Sequence, residues 1–281
     1  MSVLKDCFTY EELLKSAEKK LTDADIVDAK LDAWYLMEYV TGISRASYFL
    51  DKDKKVKKED ADRYITCVEK RAGHIPLQHI TGVQEFMGLE FTVNEHVLVP
   101  RQDTENLVEQ ALPYVKDKKV LDMCTGSGCI AVSVKILGGA GTCDAVDISG
   151  KALETAEYNA KTNNADITFI RSNMFENVEG TYDVILSNPP YIRPDVIEGL
   201  MPEVKEHEPV IALDGGKDGL DFYRILAEKS KEHLEKEGIV MMEIGFDQGE
   251  LVRELFEKNG YKDVKVIKDY SGNDRIVTAH V

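Results

Sequence analysis

The fold is decided by the stretch Val120-Leu121-Asp122-Met123-Cys124-Thr125-Gly126-Ser127-Gly128, which an apolar segment follows as far as about Leu137. Its first four residues are typical of a buried β-strand, and the glycines allow the backbone to approach a ligand closely. The helix that follows presents free N–H groups at its start. Asp147 ends the next predicted strand, where such folds bring a carboxylate to the hydroxyls of a ribose. The motif predicts an adenosine-containing cofactor, and because Ala131 replaces a third glycine it leaves NAD open.

Strands and helices alternate from about residue 103 to the end of the chain. Short apolar runs separated by longer amphipathic segments are typical of βαβ units and a parallel sheet. The predicted strands after the first are Ala145–Ile148, Ile167–Ile170, Tyr182–Ser187, Ile239–Ile244 and two β-like runs near Lys262–Ile267 and Arg275–His280. The seven strands together predict an α/β fold with a doubly wound, Rossmann-like sheet.

The first part of the chain has a different pattern. Residues 1–73 carry apolar residues at helical spacing, and Thr9 followed by Glu12 is typical of a capping box. Residues 74–102 contain two β-like runs, Ile80–Val83 and Leu89–Val93, which predict a β-hairpin. The sequence therefore predicts a small N-terminal helical domain over 1–73, a β-hairpin linker over 74–102 and the α/β domain over 103–281.

The tetrapeptide Asn188-Pro189-Pro190-Tyr191 follows the predicted strand Tyr182–Ser187. In a doubly wound sheet this strand lies beside the first one, and ligands bind off the carboxyl ends of the strands at that switch point. The two prolines remove backbone donors and fix the local dihedral angles, which leaves the Asn188 side-chain oxygen and backbone carbonyls as acceptors. Tyr191 adds a flat face for stacking. We interpret the tetrapeptide as a site for a planar NH₂ group rather than a plain Asn-Pro turn.

Composition and charge exclude several classes of protein. The formal net charge of −16 over 281 residues disfavours binding to nucleic-acid phosphates. The dense lysine cluster, Lys52–Lys58, is interrupted by acidic residues and is interpreted as a solvated loop between helices.

The five cysteines form no C-x-x-C pair, and the six histidines show no ligand spacing, so neither a disulfide framework nor a metal site is expected. A reducing cytoplasm fits this pattern. Residues 1–6 lack the apolar core of a signal peptide, and no run of about 18 apolar residues predicts a membrane span.

The tetrapeptide and the glycine loop together resemble the amino-methyltransferases, which methylate the NH₂ groups of adenine, cytosine or glutamine. Further runs match one family in register, and these are Arg71–Pro76, Ile80–Gly82, Glu85–Leu89, Val99–Glu105, Glu208–Pro209, Ala212–Leu213, Gly215–Gly216 and Asp218–Leu220. From about residue 71 to its end the chain resembles the peptide-chain release-factor glutamine N5-methyltransferases (the PrmC/HemK family). The N-terminal helical part agrees with that family in size and class but carries little signature.

The resemblance implies S-adenosylmethionine as the methyl donor, with S-adenosylhomocysteine as the product. It implies the glutamine of the Gly-Gly-Gln loop of release factors as the substrate, and the helical domain as the part that recognises it. The implied cofactor-binding residues are Cys124, Thr125, Gly126, Ser127 and Gly128 at the methionine part, Asp147 at the ribose, Met174 at the adenine with Asn173 beside its amino group, Ile148, and Asn188 at the border with the substrate. No metal is implied, and we expect a cytoplasmic monomer without direct nucleic-acid or membrane contact.

The resemblance also implies how the substrate is held. Asn188, Pro189, Pro190 and Tyr191 would bind the glutamine side chain, and Asn188, Pro189 and Tyr191 would be the catalytic residues. The Asn188 side chain and the Pro189 carbonyl would accept the two N–H protons of the amide, which aims its lone pair at the methyl group. No strong general base is obvious. None is needed before the transfer, since the proton can leave afterwards.

Three positions depart from the family pattern. Gln102 stands where proline is usual, which concerns only a loop conformation. Asn173 stands where aspartate is frequent, and its side-chain oxygen can still accept a hydrogen bond from the adenine amino group. Cys124 stands where glycine is frequent, and a small thiol is tolerable there if the residue has a negative φ.

Three other functions remain open at this point. A glutamine methyltransferase acting on a ribosomal protein would share every motif. A DNA or RNA amino-methyltransferase would share the tetrapeptide, but it would need a basic recognition region that the acidic chain lacks. A non-catalytic scaffold with a vestigial cofactor pocket would show no cofactor turnover.

Overall fold

The computed structural model of the chain describes residues 8–281, so Cys7 and the N-terminal residues considered above lie outside the described part. The chain forms two compact units. The first consists of the residues up to Gly82 together with Pro202–His207, and the second of Val83–Met201 and Glu208–Val281. Among residues 8–281, no helix is long and apolar enough to cross a membrane.

The first unit is helical. Its helices are α1 (Tyr10–Asp23), α2 (Ala29–Thr41), α3 (Arg45–Asp51), α4 (Lys58–Ala72), α5 (Leu77–Thr81) and, later in the chain, α10 (Pro202–His207). The predicted capping box begins α1, because the Thr9 hydroxyl accepts the Glu12 N–H and the Glu12 carboxylate accepts the Thr9 N–H. The lysine cluster lies mostly between α3 and α4, as predicted, and Lys52 pairs with Glu11.

The run Ile80–Val83, predicted as a strand, was assigned wrongly. Residues up to Thr81 belong to α5, and Gly82 ends that helix in the left-handed conformation, with its N–H donating to the Gln78 carbonyl at 2.7 Å. Ile80 and Leu77 both pack against the helical core. These residues are three positions apart, which is the spacing of a helix face and not of a strand face. The hairpin itself is present and belongs to the second unit as β1 (Val83–Phe86) and β2 (Leu89–Thr92).

The second unit contains the main sheet. Its strands are β3 (Lys119–Met123), β4 (Thr142–Asp147), β5 (Thr168–Arg171), β6 (Tyr182–Ser187), β7 (Leu234–Glu243), β8 (Lys262–Lys268) and β9 (Asp274–His280). Its helices are α6 (Gln102–Val115), α7 (Cys129–Ile136), α8 (Gly150–Thr162), α9 (Pro194–Ile197), α11 (Asp221–Lys229) and α12 (Gly249–Lys258), with short 3₁₀ turns at Val210–Ala212 and Ser230–His233.

The seven strands pair in the order β5-β4-β3-β6-β7-β9-β8. The first four pairings, from β5 to β7, are parallel, and β9 is antiparallel to both β7 and β8. Strands β3 and β6 are neighbours, as the sequence predicted, so the chain reverses its direction of winding between them. The predicted doubly wound sheet of seven strands is confirmed.

Hydrophobic residues cover both faces of the sheet. Val120, Leu186 and Met241 pack into one cluster, whereas Leu121 and Ile185 pack into the other. Alternate residues of one strand point to opposite faces, which explains why consecutive residues such as Val120-Leu121 and Ile185-Leu186 are both apolar. Burial on both faces fixes the register of β3 and β6, and therefore the height at which their carboxyl ends stop.

Candidate active site

A cavity of about 170 Å³ opens at the carboxyl ends of β3, β4 and β6 in the second unit. Among the residues singled out in the sequence, Cys124, Thr125, Gly126, Ser127, Asp147, Ile148, Asn173, Met174, Asn188 and Pro190 line this cavity. Gly128, Pro189 and Tyr191 do not. The structure therefore brings the glycine loop, the acidic residue and the asparagine together around one space.

The loop between β3 and α7 is held by a buried carboxylate. Asp122, fully buried at the end of β3, accepts the Thr125 hydroxyl at 2.6 Å and the Ala131 N–H at 3.1 Å. Burial raises the pKa of Asp122 to about 7. Gly128 has a φ of +80°, and a Cβ on it would lie 3.1 Å from the Cβ of Ala156 in α8. Gly128 therefore shapes the loop by its close contact with α8 rather than by lining the cavity.

Cys124 adopts a φ of +64°. The condition set from the sequence, a negative φ at this position, is not met, so the thiol residue occupies a conformation that glycine adopts more easily. Its sulfur lies 3.7 Å from the sulfur of Met174, which also lines the cavity and has a positive φ of +49°. Burial raises the pKa of the Cys124 thiol, so this cysteine is not an activated nucleophile.

Asp147 lies at the end of β4 with both carboxylate oxygens engaged by backbone donors. One oxygen accepts the Gly126 N–H at 2.9 Å, and the other accepts the Ser149 N–H at 2.9 Å. Each oxygen retains a further lone pair that can accept a hydroxyl from the cavity side. Burial raises the pKa of the Asp147 carboxyl, while the backbone hydrogen bonds lower it and favour the charged form. The arrangement suits a ribose with two neighbouring hydroxyls.

The far end of the cavity is formed by residues that follow β5. The Asn173 amide nitrogen donates to the Glu176 carboxylate at 2.8 Å, so its oxygen is directed away from Glu176 and remains an acceptor. Met174 is buried beside it. An acceptor next to a polarisable apolar side chain suits the amino group and the flat face of an adenine. The residues present therefore fit an adenosine-containing cofactor.

Asn188 lies directly after β6 and is half-buried. Its amide nitrogen donates to the Thr104 hydroxyl oxygen at 3.1 Å. Within residues 8–281 the Asn188 Oδ1 and the Pro189 carbonyl accept no hydrogen bond. Ser187 anchors this end of β6, since its hydroxyl donates to the Met123 carbonyl at 2.8 Å. Two free acceptors thus lie on consecutive residues of a fixed backbone, and the first of these residues, Asn188, lines the cavity together with the glycine loop.

Tyr191 has a different surrounding from the one expected. Its ring packs against the hydrophobic cluster that contains Leu121, instead of offering a face to the cavity. Its hydroxyl donates to the Glu243 carboxylate at 3.0 Å, and its carbonyl accepts the Gln248 side-chain N–H at 3.1 Å. Tyr191 therefore offers no stacking face to this cavity, and its part in holding the substrate stays a prediction; its phenol has its hydrogen-bond partner in Glu243.

Several cavity residues were not identified from the sequence. Thr104, in the first turn of α6, and Arg101, just before that helix, both line the cavity. The Arg101 guanidinium contacts both Glu208 carboxylate oxygens, at 2.6 and 2.7 Å. Both arginine and glutamate lie in the runs that carry the family resemblance, so those runs were the available signal.

Glu243, at the end of β7, was also missed. It is buried, and it accepts the Thr104 hydroxyl at 2.7 Å in addition to the Tyr191 hydroxyl. Burial raises the pKa of the Glu243 carboxyl, whereas the two hydroxyl donors and Arg275 lower it. The signal in the sequence was a carboxylate within an otherwise apolar strand next to the switch point.

Comparison with known proteins identifies the family that this chain resembles. A family model described as the PrmC N-terminal domain matches residues 12–82, and one described as the methyltransferase small domain matches residues 102–201. A release factor glutamine methyltransferase of Agrobacterium fabrum is 40% identical over 96% of this chain and 96% of its own. Another of Geobacter sulfurreducens is 36% identical over the full length of both chains.

A solved methyltransferase from Pyrococcus furiosus shares the fold, with a TM-score of 0.55 and 23% identity over 69% of this chain and 90% of that one. The cofactor predicted from the sequence, S-adenosylmethionine, is confirmed at the level of this family. From the full-length identities it follows that the chain belongs to the release factor glutamine methyltransferase family, whose members are S-adenosylmethionine-dependent enzymes.

Proposed function

We propose that this protein transfers the methyl group of S-adenosylmethionine to the side-chain nitrogen (N5) of the glutamine in the Gly-Gly-Gln loop of peptide-chain release factors. The observation that carries the proposal is the Asn188 side-chain oxygen, a free acceptor on a residue that lines the cavity together with the loop that fits the cofactor. The Pro189 carbonyl, which also accepts no hydrogen bond within residues 8–281, follows it directly in the chain. A primary amide presents two N–H donors in one plane, and two acceptors on a fixed backbone match them.

The chemistry requires positioning more than activation. The amide nitrogen is a weak nucleophile because its lone pair is delocalised into the carbonyl. The bound cofactor supplies a methyl group that its sulfonium already activates. The Asn188 oxygen and the Pro189 carbonyl would accept the two amide protons, hold the nitrogen toward the methyl group and stabilise positive charge as it develops. No general base is needed before the transfer, because the proton can leave afterwards.

The cofactor contacts follow from the lining of the cavity. Residues Cys124 to Ser127 would enclose the methionine part, Asp147 would accept the ribose hydroxyls, and Asn173 with Met174 would contact the adenine. Ile148, which is 46% exposed, would cover the edge of the bound nucleoside. Tyr191 would act through Glu243 and not by touching the substrate.

Release factors are the substrates named for the relatives, and the same partner is proposed here. The helical unit would bind the body of the release factor and raise the effective concentration of its loop at the cavity. The glycines before the glutamine make such a loop flexible enough to enter a narrow site. A cytoplasmic monomer that needs no direct contact with nucleic acid or a membrane would suffice for this reaction.

The proposal is tested by incubating the protein with methyl-labelled S-adenosylmethionine and a purified, unmodified release factor. Mass spectrometry of the digested product should place one methyl group on the glutamine of the Gly-Gly-Gln loop. The same factor with that glutamine replaced by alanine is the matched control and should accept no label.

A second arm offers unmodified ribosomal proteins and DNA to the same enzyme. Label on a ribosomal-protein glutamine, with none on the release factor, would overturn the choice of substrate while leaving amide methylation intact. Label on DNA would overturn the amide reaction itself.

A further inference from the structure

A buried relay runs from the carboxyl end of β7 to Asn188. The Glu243 carboxylate accepts the Thr104 hydroxyl at 2.7 Å, and the Thr104 oxygen accepts the Asn188 amide nitrogen at 3.1 Å. Thr104 and Glu243 are each 2% exposed, so both groups are largely shielded from bulk water. The three residues come from α6, the end of β7 and the loop after β6, which the fold brings together over long distances in sequence.

We infer that Thr104 and Glu243 are positioning residues that fix the orientation of the Asn188 amide, so that its oxygen, and not its nitrogen, faces the cavity. The inference rests on the proposed function, because the amide oxygen matters only if the substrate presents N–H donors. It adds two residues that do not touch the substrate but decide what Asn188 can accept.

The number of protons that each group can donate decides the orientation of the Asn188 amide. A hydroxyl has one proton to donate, and a carboxylate has only lone pairs. When Glu243 is ionised, the Thr104 proton points to it, and the Thr104 oxygen then presents lone pairs to Asn188. Only the NH₂ end of the Asn188 amide can face those lone pairs. If the Asn188 amide rotated by half a turn, its oxygen would face the Thr104 oxygen. Two buried acceptors in contact, with no proton between them, destabilise the folded protein.

The Glu243 carboxylate also holds Tyr191, at the other end of the tetrapeptide. Its second oxygen accepts the Tyr191 hydroxyl at 3.0 Å, and the Tyr191 carbonyl accepts the Gln248 side chain at 3.1 Å. Asn188 is thus tied through Thr104 to Glu243 at the end of β7, and Tyr191 is tied to Glu243 and to Gln248. The Pro189 carbonyl between them is held in place without making a hydrogen bond to the described part of the chain.

The test compares four substitutions in the full-length protein. Thr104→Val keeps the shape but removes the hydroxyl, Thr104→Ser keeps the hydroxyl, and Glu243→Gln replaces the acceptor-only carboxylate by an amide. Thr155→Val is the matched control: Thr155 is also a buried threonine that accepts an asparagine amide, that of Asn94 at 3.1 Å, but it does not line the cavity.

The first readout is steady-state methylation of the release factor with cofactor affinity measured in parallel. Thr104→Val and Glu243→Gln should lower kcat by up to about 100-fold, as expected when a reacting group is misplaced by about 1 Å, with cofactor Kd changed less than about twofold. Thr104→Ser and Thr155→Val should stay within about threefold of the wild type in kcat. Equal kcat in Thr104→Val and Thr104→Ser would overturn the inference.

The second readout does not depend on the substrate. In a ¹H–¹⁵N spectrum of asparagine-labelled protein, the Asn188 side-chain NH₂ signal, assigned by its loss in Asn188→Asp, should change in Thr104→Val and be retained in Thr104→Ser and Thr155→Val. An unchanged Asn188 signal in Thr104→Val would overturn the inference whatever the substrate proves to be. Absence of methylation by the wild type with the spectral change present would instead contradict the proposed function alone.

Discussion

The Asp147 carboxylate accepts the backbone N–H of Gly126 at 2.9 Å, so the end of β4 and the glycine loop after β3 are joined directly. The same carboxylate accepts the Ser149 N–H through its other oxygen. Asp147 therefore shapes the cofactor site as well as offering lone pairs to a ligand. A single substitution should affect both properties.

We predict that Asp147→Ala weakens S-adenosylmethionine binding by roughly 1.5–3 kcal/mol, the range for hydrogen bonds to a charged group. Isothermal titration calorimetry measures this directly, and NAD is the control ligand, which should give no binding heat with either protein. The variant should also melt at a lower temperature, because the Gly126 and Ser149 N–H groups lose their acceptor. Full cofactor affinity in Asp147→Ala would remove this residue from the site.

Asn188→Ala should keep the fold and lose activity. The side chain makes one hydrogen bond, to Thr104, and is half-buried, so its removal should leave the melting temperature close to that of the wild type. By analogy with the loss of one preorganised polar group, kcat should fall roughly 10²–10³-fold. Near-normal turnover would contradict the mechanism.

Asn188→Asp provides a sharper comparison. Its carboxylate would place an acceptor against the Thr104 oxygen, whose proton is already given to Glu243. We therefore expect this variant to be no more active than Asn188→Ala, although it has more acceptors. Recovery of activity in Asn188→Asp would show that the orientation of the amide is unimportant.

Cys124→Gly should stabilise the protein slightly. A non-glycine residue in the left-handed region costs about 1–2 kcal/mol, and Cys124 has a φ of +64°. Glycine removes that cost but increases the flexibility of the unfolded chain, which opposes the gain by about 0.4–1 kcal/mol. The free energy of unfolding should therefore rise by up to about 1.6 kcal/mol, as measured by urea denaturation.

Cys124→Ala is the matched control, because alanine loses the thiol and keeps the Cβ that is strained at positive φ. It should be no more stable than the wild type. If alanine and glycine stabilise equally, the conformation of Cys124 is not the source of the effect and the thiol contact with Met174 must be.

The sequence predicted the main sheet because its signals are local. The apolar runs from Val120 to Met123 and from Tyr182 to Ser187 became β3 and β6 with nearly the predicted ends, and their pairing follows from the topology of doubly wound sheets. The placement of Asn188 next to the glycine loop follows from that pairing. The error at Ile80 arose because β-branched residues favour strands in general, whereas Gly82 and the packing of Leu77 determined a short helix.

The relay behind Asn188 could not be predicted in this way. Thr104 and Glu243 contact each other across 139 positions of the chain, and nothing in the sequence near either residue indicates the other as its partner. The direction of the Tyr191 side chain likewise depended on whether a buried acceptor lay within reach of its hydroxyl, which is a property of the packed structure. The φ of Cys124 depends on the path of the loop between β3 and α7 and not on its composition.

The stability of the protein should depend on pH through Asp122. Its folded pKa is about 7 against an ordinary value of 3.8, because burial disfavours the charged form. Between these values the folded protein keeps a proton that the unfolded chain releases, so this residue makes stability fall as pH rises and exerts its full penalty above about pH 7. At 1.36 kcal/mol per pKa unit the penalty is on the order of 4 kcal/mol.

Asp122→Asn removes this titration while keeping one oxygen for the Thr125 hydroxyl and the Ala131 N–H. The free energy of unfolding of the variant minus that of the wild type should therefore increase as pH rises from 4 to 8, as measured by urea denaturation. Asp183→Asn is the control, because the pKa of Asp183 is shifted in the opposite direction. Burial raises the pKa of Asp183, but hydrogen bonds from Lys119 and Lys118 outweigh this effect and lower it. Asp183 contributes stability that is lost only as pH falls below the ordinary value. If the difference in unfolding free energy between Asp122→Asn and the wild type does not change over this pH range, the Asp122 carboxylate is stabilised in its charged form. The loop would then hold this carboxylate more tightly than two hydrogen bonds suggest.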